Sequence, residues 1–216
     1  MKKCILFAIF FFSITWIRAQ QQGNFTFDLS AAINLGTQIV TTRYTNEYNL
    51  SSYTSQDIAL AKSVAAGLGF SYFLNDNCRI SLLAYVNYNY TPTEQTTSSV
   101  YGTSTVGFGL APKVTGMKRI TDWLYWAPSV EFSFEYGNYR EELSNAPNIE
   151  THYTGVQIAA NPLAFDMRFS PKVSMTVDII SLAHAFHDIK YQTVSLHGTS
   201  NVLKFNGASV TLHLLL

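Results

Sequence analysis

Apolar and polar residues alternate through most of this chain, and the two-residue period limits the possible folds more than any other feature of the sequence. A β-strand whose two faces meet different surroundings alternates in this way, whereas an amphipathic helix repeats about every 3.6 residues. The alternation occurs in eight segments, at 25–33, 64–74, 80–90, 106–114, 124–136, 156–169, 173–179 and 210–216. The sequence therefore predicts an all-β fold with eight strands.

One of these segments changes phase in the middle. Its apolar residues occupy even positions up to Ala160 and odd positions from Leu163 onward, so the pattern slips by one residue at Asn161-Pro162. Proline has no N–H to give to a sheet and is tolerated at bulges, where one extra residue is left out of the pairing. We therefore predict one strand with a β-bulge at this point.

The connections between the predicted strands fall into two classes. Short ones lie at 75–77, 116–121 and 170–171, and long polar ones lie at 36–60, 91–103, 138–151 and 184–203. Because the two classes alternate along the chain, strands that reverse direction place the three short turns at one end and the four long loops at the other. This order predicts an antiparallel up-and-down sheet.

The sparse charge indicates what surrounds the sheet. Charged residues make up 13% of the chain, about half the usual ~25% of a soluble domain. The 14 basic and 14 acidic residues balance, whereas a nucleic-acid-binding surface needs a basic excess on one face. A protein exterior in water normally carries charge, so we expect this exterior to face lipid and predict no nucleic-acid partner.

The N-terminus provides a route to a membrane outside the cytoplasm. Lys2 and Lys3 precede an apolar run at 5–17, and Ala19 offers a small residue for cleavage, which is the order of a secretory signal peptide. The run is shorter than the roughly 20 residues that a membrane-spanning helix needs. We predict a signal peptide at 1–19 and a mature domain at 20–216. Cys78 is then the only cysteine of the mature domain, so no intramolecular disulfide is expected.

Among sheets, only a closed barrel satisfies all its backbone groups inside a bilayer. Bacterial outer-membrane barrels have an even number of strands, short periplasmic turns, longer outer loops, an apolar lipid face and a polar interior. A lipocalin-like barrel would put the apolar row inside, and a soluble sandwich is a further alternative. Aromatic residues near each end are typical of membrane barrels. They are Tyr72, Trp123, Trp126 and Phe169 near the short turns and Tyr88, Tyr90, Tyr101, Tyr136, Tyr139 and Tyr153 near the long loops.

Several stretches carry a resemblance to a known family. They are "RAQ" at 18–20, "GLGFSYFLNDNCRISLLAYVNYNY" at 67–90, "LAFDMRFSPKVSMTVDI" at 163–179 and the alternating last strand. The chain resembles the small eight-stranded outer-membrane β-barrel proteins of Bacteroidetes, the porin-like or OmpA-type barrel domain, without a peptidoglycan-binding domain. The resemblance implies an outer-membrane location. It also implies a last strand read by the barrel insertion machinery, through Val210, Leu212, Leu214 and Leu216, although family members usually end in an aromatic residue.

The inward face of the predicted barrel carries nine charged residues. They are Asp28, Arg79, Lys113, Glu131, Glu135, Asp166, Arg168, Lys172 and Asp178. An eight-stranded barrel is just wide enough for side chains to fill, and buried charges are tolerated when they are paired. We therefore predict a salt-bridged lumen without an open pore, in a structural or surface-interaction protein that meets an extracellular ligand or protein through its outer loops. The alternative is a narrow porin lined by Glu131, Glu135 and Arg168.

Histidines are the candidates for other chemistry. His213 is predicted to face inward near Ser174, Ser209 and Thr211, but nucleophilic catalysis needs a nucleophile, a base and an orienting group together. His184 and His187 lie three residues apart in the predicted last outer loop, whereas zinc needs three or four ligands. We therefore predict no enzyme, metal or cofactor, and keep a lipid-modifying enzyme as the remaining alternative.

Overall fold

The computed structural model describes residues 24–34, 38–46, 53–59, 62–92, 100–143, 147–190, 195–204 and 207–216, and the predicted signal peptide at 1–19 lies outside them. They form thirteen strands, which are β1 (Phe25–Asn34), β2 (Gln38–Asn46), β3 (Tyr53–Ala59), β4 (Lys62–Asn75), β5 (Cys78–Pro92), β6 (Val100–Gly116), β7 (Lys118–Arg119), β8 (Leu124–Trp126), β9 (Ser129–Leu143), β10 (Ile149–Ser170), β11 (Val173–Lys190), β12 (Ser195–Lys204) and β13 (Gly207–Leu215). The described part of the chain includes no helix of the length and apolar character that a membrane crossing requires.

Eight of these strands close into a ring. The hydrogen-bonded order is β1, β4, β5, β6, β9, β10, β11 and β13, and β13 pairs with β1 again. Thr26 lies opposite Leu215 in this closing pair, and the Leu216 amide donates to the Phe25 carbonyl at 3.0 Å. All neighbours in the ring are antiparallel. The predicted all-β, eight-stranded antiparallel barrel is confirmed.

The strands run further than predicted at the end away from the short turns. The predicted loop at 36–60 contains β2 and β3, and the one at 184–203 contains the end of β11 and most of β12. One continuous register joins β1–β2 to β3–β4, since Phe25 lies opposite Tyr72 and Gln38 opposite Ala59. The prediction of long loops here was wrong because these segments are polar at most positions, which removes the alternation. Their many Thr and Tyr residues still favour strands.

The predicted strand at 124–136 is divided in two. Ala127 and Pro128 separate β8 from β9, and the Ala127 amide donates to the Ala164 carbonyl at 2.8 Å. Together β7 and β8 form a small hairpin at the end of the barrel that carries the short turns, which we call the turn end. Phe73, Met117 and Tyr125 pack there as a buried apolar cluster.

The bulge in β10 is confirmed. Ala160 pairs with Leu182 and Leu163 pairs with Ile180, which leaves Asn161 and Pro162 outside the β10–β11 ladder. The Trp126 indole N–H donates to the Pro162 carbonyl at 2.9 Å, so this carbonyl is satisfied across the β8–β10 pair. Because of this extra residue, odd-numbered side chains face inward before the bulge and even-numbered side chains face inward after it.

A second irregularity lies in β11 beside the first. Ile180 pairs with Leu163 and Asp178 pairs with Ala164, so Ile179 is left over. Asp178 is buried before this point and Ala183 after it, while Ile179 is exposed. Both strands therefore change parity at the same height, and their facing side chains stay matched.

The barrel buries polar residues and exposes apolar ones. Its buried polar and charged residues include Thr26, Asp28, Ser71, Arg79, Asp166 and Arg168. The outward rows carry large apolar side chains that are about half exposed, among them Leu68, Phe70, Val86, Phe108, Val130 and Phe134. This arrangement is the reverse of a soluble barrel.

Candidate functional site

The barrel interior is filled near the turn end by a polar cluster that we call the plug. It consists of Asp28, Arg79, Asp166, Arg168, Thr176 and His213, none of which is more than 2% exposed. These residues come from β1, β5, β10, β11 and β13. Alternation on each strand turns them inward, and closure of the ring brings the strands to one level.

Asp166 holds the centre of the plug. Its Oδ2 lies 3.0 Å from Arg79 Nη1, and the Thr176 hydroxyl lies 2.8 Å from the same oxygen. Arg79 also donates to Thr176 Oγ1 at 2.8 Å. On the other side, Arg168 Nε lies 3.8 Å from Asp166 Oδ1. Two guanidinium groups thus flank one buried carboxylate, as a buried charge requires.

Tyr125 contacts Arg168 from the turn end of the barrel. The Arg168 guanidinium carbon lies 3.9 Å from the centre of the Tyr125 ring, and Nη1 donates to the Tyr125 hydroxyl at 3.2 Å. A cation over an aromatic face is attracted by the ring, more strongly when both are desolvated. The β7–β8 hairpin therefore supports the plug from the turn end.

His213 joins the two acids of the plug. Its Nδ1 lies 2.6 Å from Asp28 Oδ1, and its Nε2 lies 2.9 Å from Thr176 Oγ1. Asp28 also accepts from Thr26 Oγ1 at 2.9 Å and from the Ser71 hydroxyl. The hydrogen bonds run without a break from β1 to β10. Side chains can fill the interior of an eight-stranded barrel, and this network fills the lumen at that height.

An Asp–His–Thr series of this kind has the connectivity of a catalytic triad, so its access matters. Thr176 is 2% exposed and also accepts a hydrogen bond from Arg79. Ser174, the nucleophile considered from sequence, lies opposite His213 in the register, but its hydroxyl approaches Asp166 at 3.5 Å. Ser174 and Thr176 are both buried and neither lines the cavity of the barrel, so the geometry favours a structural role for His213.

A cavity of about 450 Å³ occupies the interior on the other side of the plug, toward the ends of the long strands. Its walls include Tyr85, Asn87, Glu131, Glu135, Tyr153, Asp178 and His187. Lys113 donates to Asp178 Oδ2 at 3.0 Å and lies directly opposite Glu131 in the β6–β9 register. Glu135 Oε2 lies 2.9 Å from Asn87 Nδ2 and 3.3 Å from the Tyr85 hydroxyl.

Eight of the nine charged residues predicted inside the barrel face the interior in the structure, and Lys172 does not. It lies with Pro171 in an exposed turn after β10. The alternation was followed two residues beyond the end of the strand at Ser170, where the chain leaves the barrel wall. Without Lys172, the interior holds the acids Asp28, Glu131, Glu135, Asp166 and Asp178 and the bases Arg79, Lys113 and Arg168.

His184 and His187 lie in β11, so their placement in an outer loop was wrong. Residues three apart on a strand point to opposite faces. His184 is exposed, whereas His187 lines the cavity, so the two cannot hold one metal ion. Within the described ranges, no group of three or more His, Cys, Asp and Glu side chains is arranged to bind a metal.

Two of the aromatic residues near the predicted long loops, Tyr153 and Tyr139, face the interior of the barrel. Both line the cavity, and Tyr153 is only 6% exposed. The alternation along each strand predicts this inward orientation, because residues separated by an even number of positions share a face. Tyr139 lies four residues from the inward Glu135, and Tyr153 lies eight residues from the inward Asn161. Proximity to the strand end concealed it.

The outward residues of the last strand face the exterior of the closing pair. Leu212 lies opposite Leu29 on β1 and opposite Met175 on β11. Leu216 is the most exposed of the row at 79%. The row of Val210, Leu212, Leu214 and Leu216 thus continues the apolar exterior across the point of closure.

No protein-family model matches this chain, and no curated protein matches its sequence. Among solved structures, the chain is similar to the outer membrane protein OprG from Pseudomonas aeruginosa, with a TM-score of 0.45, 10% identity, and coverage of 93% of this chain and 99% of that one. It is similar to Neisserial surface protein A, with a TM-score of 0.38, 13% identity, and coverage of 87% and 95%. It is also similar to Ail, the attachment invasion locus protein of Yersinia pestis, with a TM-score of 0.33, 9% identity, and coverage of 87% and 99%.

Proposed function

We propose that this protein is an integral outer-membrane β-barrel with a plugged lumen, and that it acts as a non-enzymatic structural or surface-interaction protein. The observation that carries the proposal is the reversed burial of the closed ring, with buried Asp166, Arg79 and Arg168 inside and rows of exposed Leu, Val and Phe outside. Soluble monomers rarely expose apolar patches of more than a few hundred Å². A lipid bilayer is the environment that such an exterior requires.

The long strands support a role at the cell surface. A tilted strand crosses a bilayer in about 9–11 residues, whereas β10 has 22 and β11 has 18. Short turns face the periplasm in bacterial barrels, so the excess length extends outward together with β2, β3 and β12. This outer sheet presents exposed polar side chains, such as Glu150 and His152 on β10, to an extracellular ligand or protein.

Fractionation and labelling test the location. We expect the chain in the outer-membrane fraction, with a gel mobility that changes on boiling, as is typical of a folded barrel. In a Cys78→Ser background, a membrane-impermeant maleimide added to intact cells should label Glu150→Cys, which is exposed on the outer sheet, and not Asp76→Cys in a short turn. A soluble periplasmic protein, or equal labelling of both positions, would contradict the proposal.

A narrow channel is the second candidate, because acidic residues line the cavity beyond the plug. Recordings in planar bilayers separate the two functions. The plug predicts no large stable openings, since hydrogen bonds from Asp28 through His213 and Thr176 to Arg79 bridge the lumen. Frequent stable openings from the purified protein would favour the channel.

A further inference from the structure

Three oxygen atoms from three strands converge on one point of the cavity wall. Gly107 on β6 marks this point, because a methyl group built on it would meet the Tyr153 hydroxyl, Glu135 Oε1 at 2.5 Å and Asn87 Oδ1 at 2.7 Å. The three side chains come from β10, β9 and β5. Only a glycine at this position lets the three oxygens approach the wall so closely, because a side chain on residue 107 would displace them.

Two of these oxygens are buried without a hydrogen-bond partner in the protein. They are the Tyr153 hydroxyl, on a residue that is only 6% exposed, and Asn87 Oδ1. Buried polar atoms nearly always have a partner, so each such exception calls for an explanation. An ammonium group has three N–H donors and no acceptor, which matches three converging oxygens, one of them from a carboxylate.

The charge of the cavity favours a cation. The described residues that line it include Glu131, Glu135 and Asp178 but neither Lys nor Arg. Lys113 lies next to both Asp178 and Glu131 and offers one positive charge to two acids. In the plug, by contrast, Asp28 and Asp166 are balanced by two arginines. The negative excess of the interior therefore falls on the cavity, and its low-dielectric walls concentrate the resulting field.

The rest of the wall suits a short hydrocarbon. Ala159, Ala185 and Ile189 are buried apolar residues that line the same cavity. A volume of about 450 Å³ is in the range of pockets for small organic ligands, about 300–1,000 Å³. A single inorganic ion would use a small part of this space and would leave the apolar wall without a contact.

From this arrangement we propose that the cavity binds a small organic ammonium ligand. Its amine head lies against Tyr153, Asn87 and Glu135, and its hydrocarbon stem lies along Ala159, Ala185 and Ile189. The plug forms the floor of the site, so the ligand enters from the end of the barrel that carries the outer sheet. The site is additional to the surface role proposed above.

Calorimetric titration of the purified full-length barrel in non-ionic detergent tests the proposal, with n-butylammonium chloride as the probe. We expect saturable binding, with 1-butanol and calcium chloride each binding at least about tenfold more weakly, since a charged hydrogen bond contributes about 1.5–3 kcal/mol and 1.4 kcal/mol corresponds to tenfold. Empty detergent micelles give the background from partitioning of the probe.

Three variants identify the site. Glu135→Gln keeps the shape of the side chain and removes its charge, and should weaken binding of the probe about tenfold or more. Tyr153→Phe removes one oxygen and should weaken it about threefold to tenfold, as expected for one hydrogen bond. Glu150→Gln removes an exposed carboxylate of the outer sheet and should leave affinity unchanged. Each variant is first shown to fold by its heat-dependent gel mobility.

Several outcomes would overturn the proposal. One is the absence of saturable binding, and another is equal affinity for 1-butanol, which would indicate an apolar pocket. Equal or tighter binding of calcium would indicate an inorganic cation site. Unchanged affinity in folded Tyr153→Phe would show that the probe lies elsewhere, even if Glu135→Gln does not fold.

Discussion

At the scale of single residues, the plug shows what alternation reveals and what it leaves open. Parity alone predicts that Asp28, Arg79 and Asp166 face inward, and the structure places all three there. The alternation does not predict which inward side chains contact each other. Asp28 and His213 belong to opposite ends of the chain and meet only because β1 pairs with β13, with Asp28 directly opposite His213. The orienting acid beside His213 was missed for this reason.

Arginine substitutions separate the buried ion pair from an exposed one. Arg79→Met leaves Asp166 buried without its closest cation, and removal of one partner of a buried pair costs about 3–5 kcal/mol. Arg140→Met breaks the pair with Glu150, at 3.7 Å on the exposed surface, where such pairs contribute about 0–1 kcal/mol. Urea unfolding in lipid vesicles measures both. Equal losses of unfolding free energy would show that the plug does not stabilise the barrel.

At the scale of strands, one bulge was predictable and the other was not. In β10 the apolar row moves from even to odd positions at a proline, so the slip is visible in the sequence. In β11 the extra residue is Ile179, and Ile180 follows it, so two adjacent apolar residues hide the change of phase. The same loss of contrast concealed β2, β3 and β12, whose sequences are polar at most positions. Alternation predicts strands only where the two faces meet different surroundings.

A deletion tests the role of the bulge in β10. Without Pro162, the residues beyond it would rotate by one position, which would turn Asp166 and Arg168 to the outer face of the barrel. We expect deletion of Pro162 to abolish the folded form in the heat-modifiability assay. Pro162→Ala keeps the number of residues and should fold. A folded deletion variant with normal mobility would show that β10 can shift its register without penalty.

At the scale of the whole molecule, the barrel is defined by its exterior. The sequence predicted the closed ring, because sparse charge and eight two-faced strands fit few other architectures. It did not predict the division of the interior into a plug and a cavity. That division depends on the level of each inward side chain along the barrel axis. Strand tilt and register set this level, and the pattern of a single strand does not reveal it.

Arginine substitutions on the exterior distinguish a bilayer from water. Leu68 and Ile120 are exposed to a similar degree, at 56% and 54%, but Leu68 lies within β4 and Ile120 lies beside the β7–β8 hairpin. In a soluble protein, the free energy of unfolding of both arginine variants would lie within about 0.5 kcal/mol of the wild-type value. In a membrane barrel, Leu68→Arg should cost about 2–4 kcal/mol if it lies near the midplane, and Ile120→Arg about 0–1 kcal/mol.

Unfolding in phosphatidylcholine vesicles provides the measurement for these two variants. A loss at Leu68→Arg that clearly exceeds the loss at Ile120→Arg is the expected result. Similar small effects at both positions would mean that water, and not lipid, surrounds β4.

The pairing of β1 with β13 also constrains the order of events during folding. Sheets built from contacts distant in sequence form slowly, because the entropy of closing a large loop is lost before the contacts form. Here the last contacts to become possible are those between Thr26 and Leu215 and their neighbours. Until β13 emerges, β1 presents an unpaired edge that any other extended chain can join. The ring therefore leaves this edge of β1 without its native partner until β13 has been made, which places the step most exposed to mispairing at the end of folding.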